Sequence, residues 1–134
     1  DVVRVRKLFR DDLDDYKAKA EAVREAEIFE GCFAISTCPS EGIESPTVVG
    51  AQAANELLDI AGMKASIVMT FYNNTIYLSA RSIDEVNVQV MMEKLGGGGH
   101  RTIAGAQLKD MSLEEARNRV KEVIRDMLEK GDIS

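Results

Sequence analysis

Apolar residues along the chain change their period several times, and each change marks an element. Between Asp11 and Glu30, Leu13, Tyr16, Ala20 and Val23 fall at i, i+3, i+7 and i+10, the stripe of an amphipathic helix. Charged residues fill the rest of that surface as a solvated face. The stretch before it, Asp1 to Arg10, contains "VVRVRKLF" and reads either as a connector or as an extra helical turn. Gly31 ends the helix, and "CFAIST" follows as a buried strand. Pro39 to Ser45 is a polar loop. Ser45-Pro46 then has the form of a helix start, a capping side chain followed by proline in the first turn. Val49, Ala53, Leu57 and Ile60 carry its apolar stripe, and Gly62 stops it.

"ASIVMTFY" and "TIYLSAR" flank Asn73-Asn74. Asparagine tolerates positive φ, so the pair predicts a tight two-residue hairpin. Ser82 and Glu85 have capping-box spacing for a further helix. On it Val88, Met91, Met92 and Leu95 form a core stripe, with Gly96 at its end. "TIAGAQL" predicts a last strand. A second capping box, Ser112 with Glu115, opens a helix whose inward residues are Ala116, Val120, Val123, Met127 and Leu128, as far as Gly131. The order is helix, strand, helix, hairpin, helix, glycine loop, strand, helix, with no repeat and no interdomain linker. It predicts a single α/β domain over 1–134, a mixed sheet of about four or five strands covered by helices.

Composition agrees with that reading. The chain has 134 residues, 45% apolar and 30% charged, which suits one soluble globular domain and argues against disorder. No apolar run reaches the length of a membrane span, and no signal-peptide pattern is present. A start at Asp1 rather than at a methionine points to a fragment or a processed product. The net charge of -6 argues against an extended grip on nucleic acid. It leaves room for a small nucleotide held by a few local positive groups. Cys32 and Cys38 lie six residues apart along a strand, a separation of roughly 20 Å. A disulfide needs Cα atoms within about 7 Å, so both thiols are expected to stay free, as in a reducing cytoplasm. Two cysteines and one histidine, without ligand spacing, argue against a metal site.

The chemistry concentrates in "LGGGGHRTIAGAQL", which holds Gly96 to Gly99 and the only histidine, His100. It is not a Walker loop, since it lacks the Gly-Lys-Ser/Thr ending and precedes a strand. It is not a dinucleotide fingerprint, since Arg101 stands where the last glycine belongs. It follows a helix C-terminus, where the macrodipole disfavours an anion. Glycines nevertheless let backbone N–H groups converge on an anion and let a planar base or sugar approach the main chain. His100 and Arg101 add donors, and Arg101 has the geometry for a bidentate phosphate contact. A flexible hinge is the plain alternative. A second candidate is "SARS", where Arg81 ends a strand and Ser82 begins a helix, a placement that suits anions. Its plain alternative is a surface arginine beside a capping serine.

Taken together, "YLSARS", "VNVQVMMEKLGGGGH" and "AGAQL" resemble the DHH-associated domain, the C-terminal lobe of DHH-family phosphoesterases. The resemblance covers nearly the whole chain and is nearest to the bacterial, membrane-anchored branch that hydrolyses cyclic di-AMP to a linear dinucleotide. It implies the substrate-binding lobe of a two-lobed enzyme, on the cytoplasmic side, with residues 1–10 a connector from a catalytic lobe. It implies that Arg81, Ser82, Gly97, Gly98, Gly99 and His100 face the substrate, with Arg101, Thr102 and Gln107 as further candidates. The manganese centre of such enzymes belongs to the other lobe, and no Asp-His-His occurs here. The chain alone is therefore expected to bind without hydrolysing. Implied partners are a cyclic dinucleotide or short oligonucleotide and the catalytic lobe of the same parent, without extended nucleic acid or direct membrane contact; a homodimer stays open. Two other functions stay open as well: a nanoRNase-type lobe binding short oligoribonucleotides, and an RNA-binding domain of the alanyl-tRNA synthetase C-terminal type. A protein-interaction domain with a structural glycine hinge is the blandest reading.

Overall fold

The computed structural model describes the backbone of residues 2–133 and the side chains of residues 13–133. Four helices and six strands follow one another: α1 (Val2–Glu25), β1 (Glu27–Phe29), β2 (Phe33–Thr37), α2 (Pro46–Leu58), β3 (Ala65–Tyr72), β4 (Thr75–Ser82), α3 (Val88–Glu93), β5 (Gly98–Gly99), β6 (Ile103–Lys109) and α4 (Leu113–Glu129). The strands form one sheet in the order β1-β2-β3-β4-β6-β5. β2 and β3 are parallel, with α2 as the crossover between them, and the other neighbours are antiparallel. The fold is thus a mixed α/β sheet, as expected. Among the described residues no helix is long and apolar enough to cross a membrane.

Strand alternation places two cores on opposite faces. Phe33, Ile35, Ile67, Met69 and Leu78 pack with Met91 and Met92 of α3 and with Val120, Ile124 and Met127 of α4. On the other face, Ala34, Cys38 and Val68 meet Ala18 and Ala22 of α1 and Val49, Ala53 and Leu57 of α2. Small side chains bring these two helices close to the sheet. The Ser36 hydroxyl donates to the Ala22 carbonyl, and the Ser66 hydroxyl donates to the Ala54 carbonyl at 2.6 Å.

Several boundaries differ from expectation for identifiable reasons. The helix over 11–30 ends at Glu25, and the connector stretch before it belongs to the same helix, its side chains lying outside the described residues. Glu27–Phe29 instead pairs with β2 through a turn at Glu30 (φ 52°) and Gly31 (φ 79°). Gly31 serves a hairpin, not a helix cap, because Phe29 gains a buried place in the α4 core. Among the described side chains of α1 the buried ones are Ala18 and Ala22, whereas Leu13 and Tyr16 are exposed, since close packing on the sheet selects the small residues. Ser45 precedes α2 without a side-chain capping bond, and Ile60 lies beyond the helix end and is exposed. Ser82 stays in β4, its hydroxyl donating to the Val86 carbonyl at 2.6 Å, so α3 begins later, capped by Asn87. The Asn73-Asn74 turn (φ 51° and 59°), the buried Val88, Met91, Met92 and Leu95, and the Ser112/Glu115 capping box all match expectation.

The glycine run has more structure than a loop. The Gly96 N–H reaches the Glu93 carbonyl and the Gly97 N–H reaches that of Met92 at 2.8 Å, the paired bonds of a Schellman ending, with Gly96 at φ 85°. Gly98 and Gly99 then add a sixth strand, opposite Gly105 and Ala104. A Cβ on Gly97 would collide with the Gly105 carbonyl oxygen and lie 2.6 Å from the Ala106 Cα. A Cβ on Gly99 would lie 2.6 Å from the Ile103 carbonyl oxygen, and its φ of 145° already disfavours an L side chain. A Cβ on Gly98 would meet nothing within 4 Å.

Two measurements check this packing. Gly97→Ala and Gly99→Ala should each destabilise the fold by about 1–3 kcal/mol through overpacking. Gly98→Ala should stay within about 0.5 kcal/mol of the parent chain in denaturant unfolding. Equal losses at all three positions would remove the distinction. Separately, Cys38 is 2% exposed, and burial pushes its thiol up to about 11 from an ordinary 9.0. Alkylation of the folded chain at pH 8 should therefore modify the half-buried Cys32 and spare Cys38. The unfolded thiol ionises first, so stability should fall as pH rises from 9.0 toward about 11.

Candidate functional site

The two helices on the α2 face do not cover the whole sheet. β3 is buried on both faces over its first six residues, while β4 and β6 alternate. In β6, Ala104, Ala106 and Leu108 are buried, and Ile103, Gly105, Gln107 and Lys109 turn to the uncovered side. Cross-strand registry aligns these residues in rows. Ser79 stands opposite Gly105, which stands opposite Gly98, so one row is nearly devoid of side chains. Tyr77 and Gln107 form the next row on one side, and Arg81 and Ile103 the row on the other. The outcome is a trough with a glycine floor. One part of it is an open cleft of about 520 Å³ lined by Thr47, Tyr77, Ser79, Gly97, Gln107 and Lys109, among others.

Arg81 is held in place by neutral groups. Its Nε donates to Asn55 Oδ1 of α2 at 2.9 Å, and its Nη1 donates to the Ala80 carbonyl at 2.9 Å. A guanidinium carries five N–H donors, so three remain for a ligand. No carboxylate among the described residues pairs with Arg81 or with Lys109. Burial lowers the Arg81 pKa from its usual value, and the group stays charged at neutral pH. An incoming anion would relieve this desolvation.

The other sequence candidates divide by position. Gly97 and Gln107 line the cleft, and Gly98 lies across from its floor. Gly99 is exposed in β5, the edge strand of the sheet, whose outer backbone groups have no strand partner. His100 is exposed, and its N–H closes a turn onto the Ile103 carbonyl at 2.7 Å. The Ser82 hydroxyl is committed to the Val86 and Arg101 carbonyls on the buried side of β4. Arg101 turns to Asp84, pairing with its carboxylate at 3.3 Å and donating to its carbonyl at 3.0 Å. The Thr102 carbonyl accepts the Ser82 N–H at 3.0 Å, and the Arg101 carbonyl accepts that of Val88 at 2.8 Å. These bonds pin the run to β4 and α3.

Sequence reasoning passed over Tyr77, Gly105, Lys109, Thr47 and Asn55, and held Ser79 only as the first residue of "SARS", without a role. Period-two alternation in "TIYLSARS" and "IAGAQLK" contains the signal for Tyr77, Ser79, Gly105 and Lys109, since it puts them on one face with Arg81 and Gln107. Thr47 and Asn55 depend on where α2 lies, which no local pattern reveals. Among the described residues no three His, Cys, Asp or Glu side chains come together in a way that could hold a metal ion. The donor set suits binding of an anion and a flat polar ligand.

Known proteins share this sequence and fold. The DHHA1 domain pattern matches residues 31–129. The cyclic-di-AMP phosphodiesterase GdpP of Geobacillus thermodenitrificans is 40% identical over 132 residues, 98% of this chain and 20% of that protein. The cyclic-di-AMP phosphodiesterase PdeA of Listeria monocytogenes is 40% identical over 121 residues, 90% of this chain and 18% of that protein. The chain thus spans about a fifth of the length of these relatives. An exopolyphosphatase-related protein of Bacteroides fragilis has the same fold at 16% identity, with a TM-score of 0.73 over 84% of this chain and 34% of its own. With the pattern matched from Gly31 through α4, and the glycine strand inside it, this chain belongs to the DHHA1 domain family.

Proposed function

We propose that this chain is the nucleotide-binding lobe of a metal-dependent phosphodiesterase that hydrolyses cyclic di-AMP to a linear dinucleotide. The observation that carries the reading is Gly98. Its missing side chain is not required by any contact among the described residues, and it faces the same side as Gly105, Ser79 and, two residues along β4, Arg81, which pairs with no carboxylate among them. A glycine that packing does not demand, on a flat face shared with a guanidinium that keeps three N–H donors, is what a ligand's close approach would demand. The relatives named above act on cyclic di-AMP and are 40% identical over almost the whole chain.

In this reading Arg81 grips a phosphate or sugar oxygen with its free N–H donors, and Asn55 keeps the guanidinium aimed. His100 reaches the same ligand from the turn after β5. The glycine floor supports the sugar or base. The manganese chemistry falls to the catalytic lobe of the parent protein, because the described residues here do not fit a metal centre. The parent would be membrane-anchored, with this lobe in the cytoplasm.

The test is titration of the chain with cyclic di-AMP, its linear product and a short oligoribonucleotide, with hydrolysis followed in manganese. Binding of the dinucleotides without turnover is expected, and robust turnover free of contaminating nuclease would overturn the division of labour. Preference for the oligoribonucleotide would favour the nanoRNase-type reading instead. Gly98→Val should abolish binding with an unchanged melting temperature. Arg81→Ala and His100→Ala should each weaken it roughly tenfold to a hundredfold, the worth of a charge-assisted hydrogen bond. Asn55→Ala should cost less, about two- to fivefold, because it loosens Arg81 without removing it. Wild-type affinity in all four variants would leave the trough without a role.

A further inference from the structure

The end of the trough away from Arg81 carries polar groups that a phosphate grip does not use. Tyr77 and Gln107 are cross-strand partners, and both line the cleft with Thr47. The Tyr77 hydroxyl and the Gln107 amide have no hydrogen-bond partner among the described residues. The floor beside them is Gly97 and Gly105, against which a planar ring can lie. Arg81 stands opposite Ile103, and Gln107 is four residues farther along β6, roughly 13 Å at the strand rise. That separation suits a nucleotide held by its phosphate at one end and its base at the other.

We propose that Gln107, beside Tyr77, is the base-reading group of this trough and that it selects adenine over guanine. The proposal rests on the trough being a nucleotide site. An amide presents one acceptor and one donor side by side. Adenine offers the complement, an N6 amino donor next to the N7 acceptor. Guanine offers two acceptors there, O6 and N7, which would leave the amide oxygen facing O6 without a proton between them. The competing reader is Lys109, two residues farther on the same face, which only donates and would favour guanine.

The experiment titrates the whole chain with AMP and GMP, and with cyclic di-AMP and cyclic di-GMP, by calorimetry and by amide chemical shifts. The wild-type chain should prefer the adenine ligand of each pair by roughly ten- to a hundredfold. Gln107→Ala should bring each pair close to parity. Gln107→Glu should turn the preference toward guanine, whose N1–H and N2–H groups both donate to a carboxylate. Gln107 is exposed, so melting temperatures should not change. An adenine preference that survives Gln107→Ala overturns the proposal, as does a guanine preference that Lys109→Met removes. Nucleotide binding that Gly98→Val abolishes, without any dependence of the base ratio on Gln107, overturns this inference and leaves the trough reading standing. Failure of the wild-type chain to bind any of the four overturns both.

Discussion

Between Gly97 and Ala106 there is no room for a methyl group, and much of the site follows from that contact. The chain leaves α3 through a Schellman ending and must at once lie against β6. Only bare backbone at 97 and 99 permits the approach. Gly98 is thereby carried to a fixed place opposite Gly105. The turn that follows is fastened in three directions: His100 to Ile103, Arg101 to the start of α3 and Thr102 to the end of β4. A flexible hinge would lack these bonds. The four glycines therefore serve different ends. Gly96 reverses the chain, Gly97 and Gly99 allow contact, and Gly98 leaves space.

Space above β5 and β6 matters because the neighbouring helix stops short of it. α2 can sit close over β3 because Gly50 has no side chain to strike Thr70, and because the small Ala53 and Ala54 are among the residues it buries. Its reach extends to Asn55 over Arg81. β6 and β5 lie farther out on that face, whereas α3 and α4 cover the opposite one. An uneven two-layer cover thus leaves part of a sheet face open, with polar residues where a core would need apolar ones.

Much of the fold is legible in the sequence. Long periodic segments such as α4, with its Ser112/Glu115 box, and the Asn73-Asn74 hairpin carry their own local signals, and the structure has them in place. β1 and β5 did not show, because strands of three and two residues are too short to display a period. They exist through pairing and packing: Phe29 enters the α4 core, and Gly98–Gly99 fits against β6. Around β1 the Arg117 guanidinium reaches Glu25, Glu27, the Ile35 carbonyl and Thr37, contacts of long sequence separation that no local window contains. The same limit applied at the site. Spacing marked Arg81, Arg101 and Ser82 alike, but tertiary hydrogen bonds decide that Arg101 turns to Asp84 and that Ser82 turns inward.

Net charge says little about local electrostatics for a related reason. An acidic chain repels a phosphate at long range, yet the Debye length of about 8 Å at physiological salt limits how far the total charge is felt. What counts is the local balance. Arg101, Lys94, Lys121 and Arg125 are each satisfied by a carboxylate. Arg81 is held by an amide and a carbonyl, which orient it without neutralising it. Burial strips part of its water and thereby lowers its pKa. A desolvated, oriented and unneutralised cation is costly when alone and strongly favours an anion that restores its hydrogen bonds. The fold pays that cost beside a floor of glycine, where an anion with a flat group attached can come closest to the backbone.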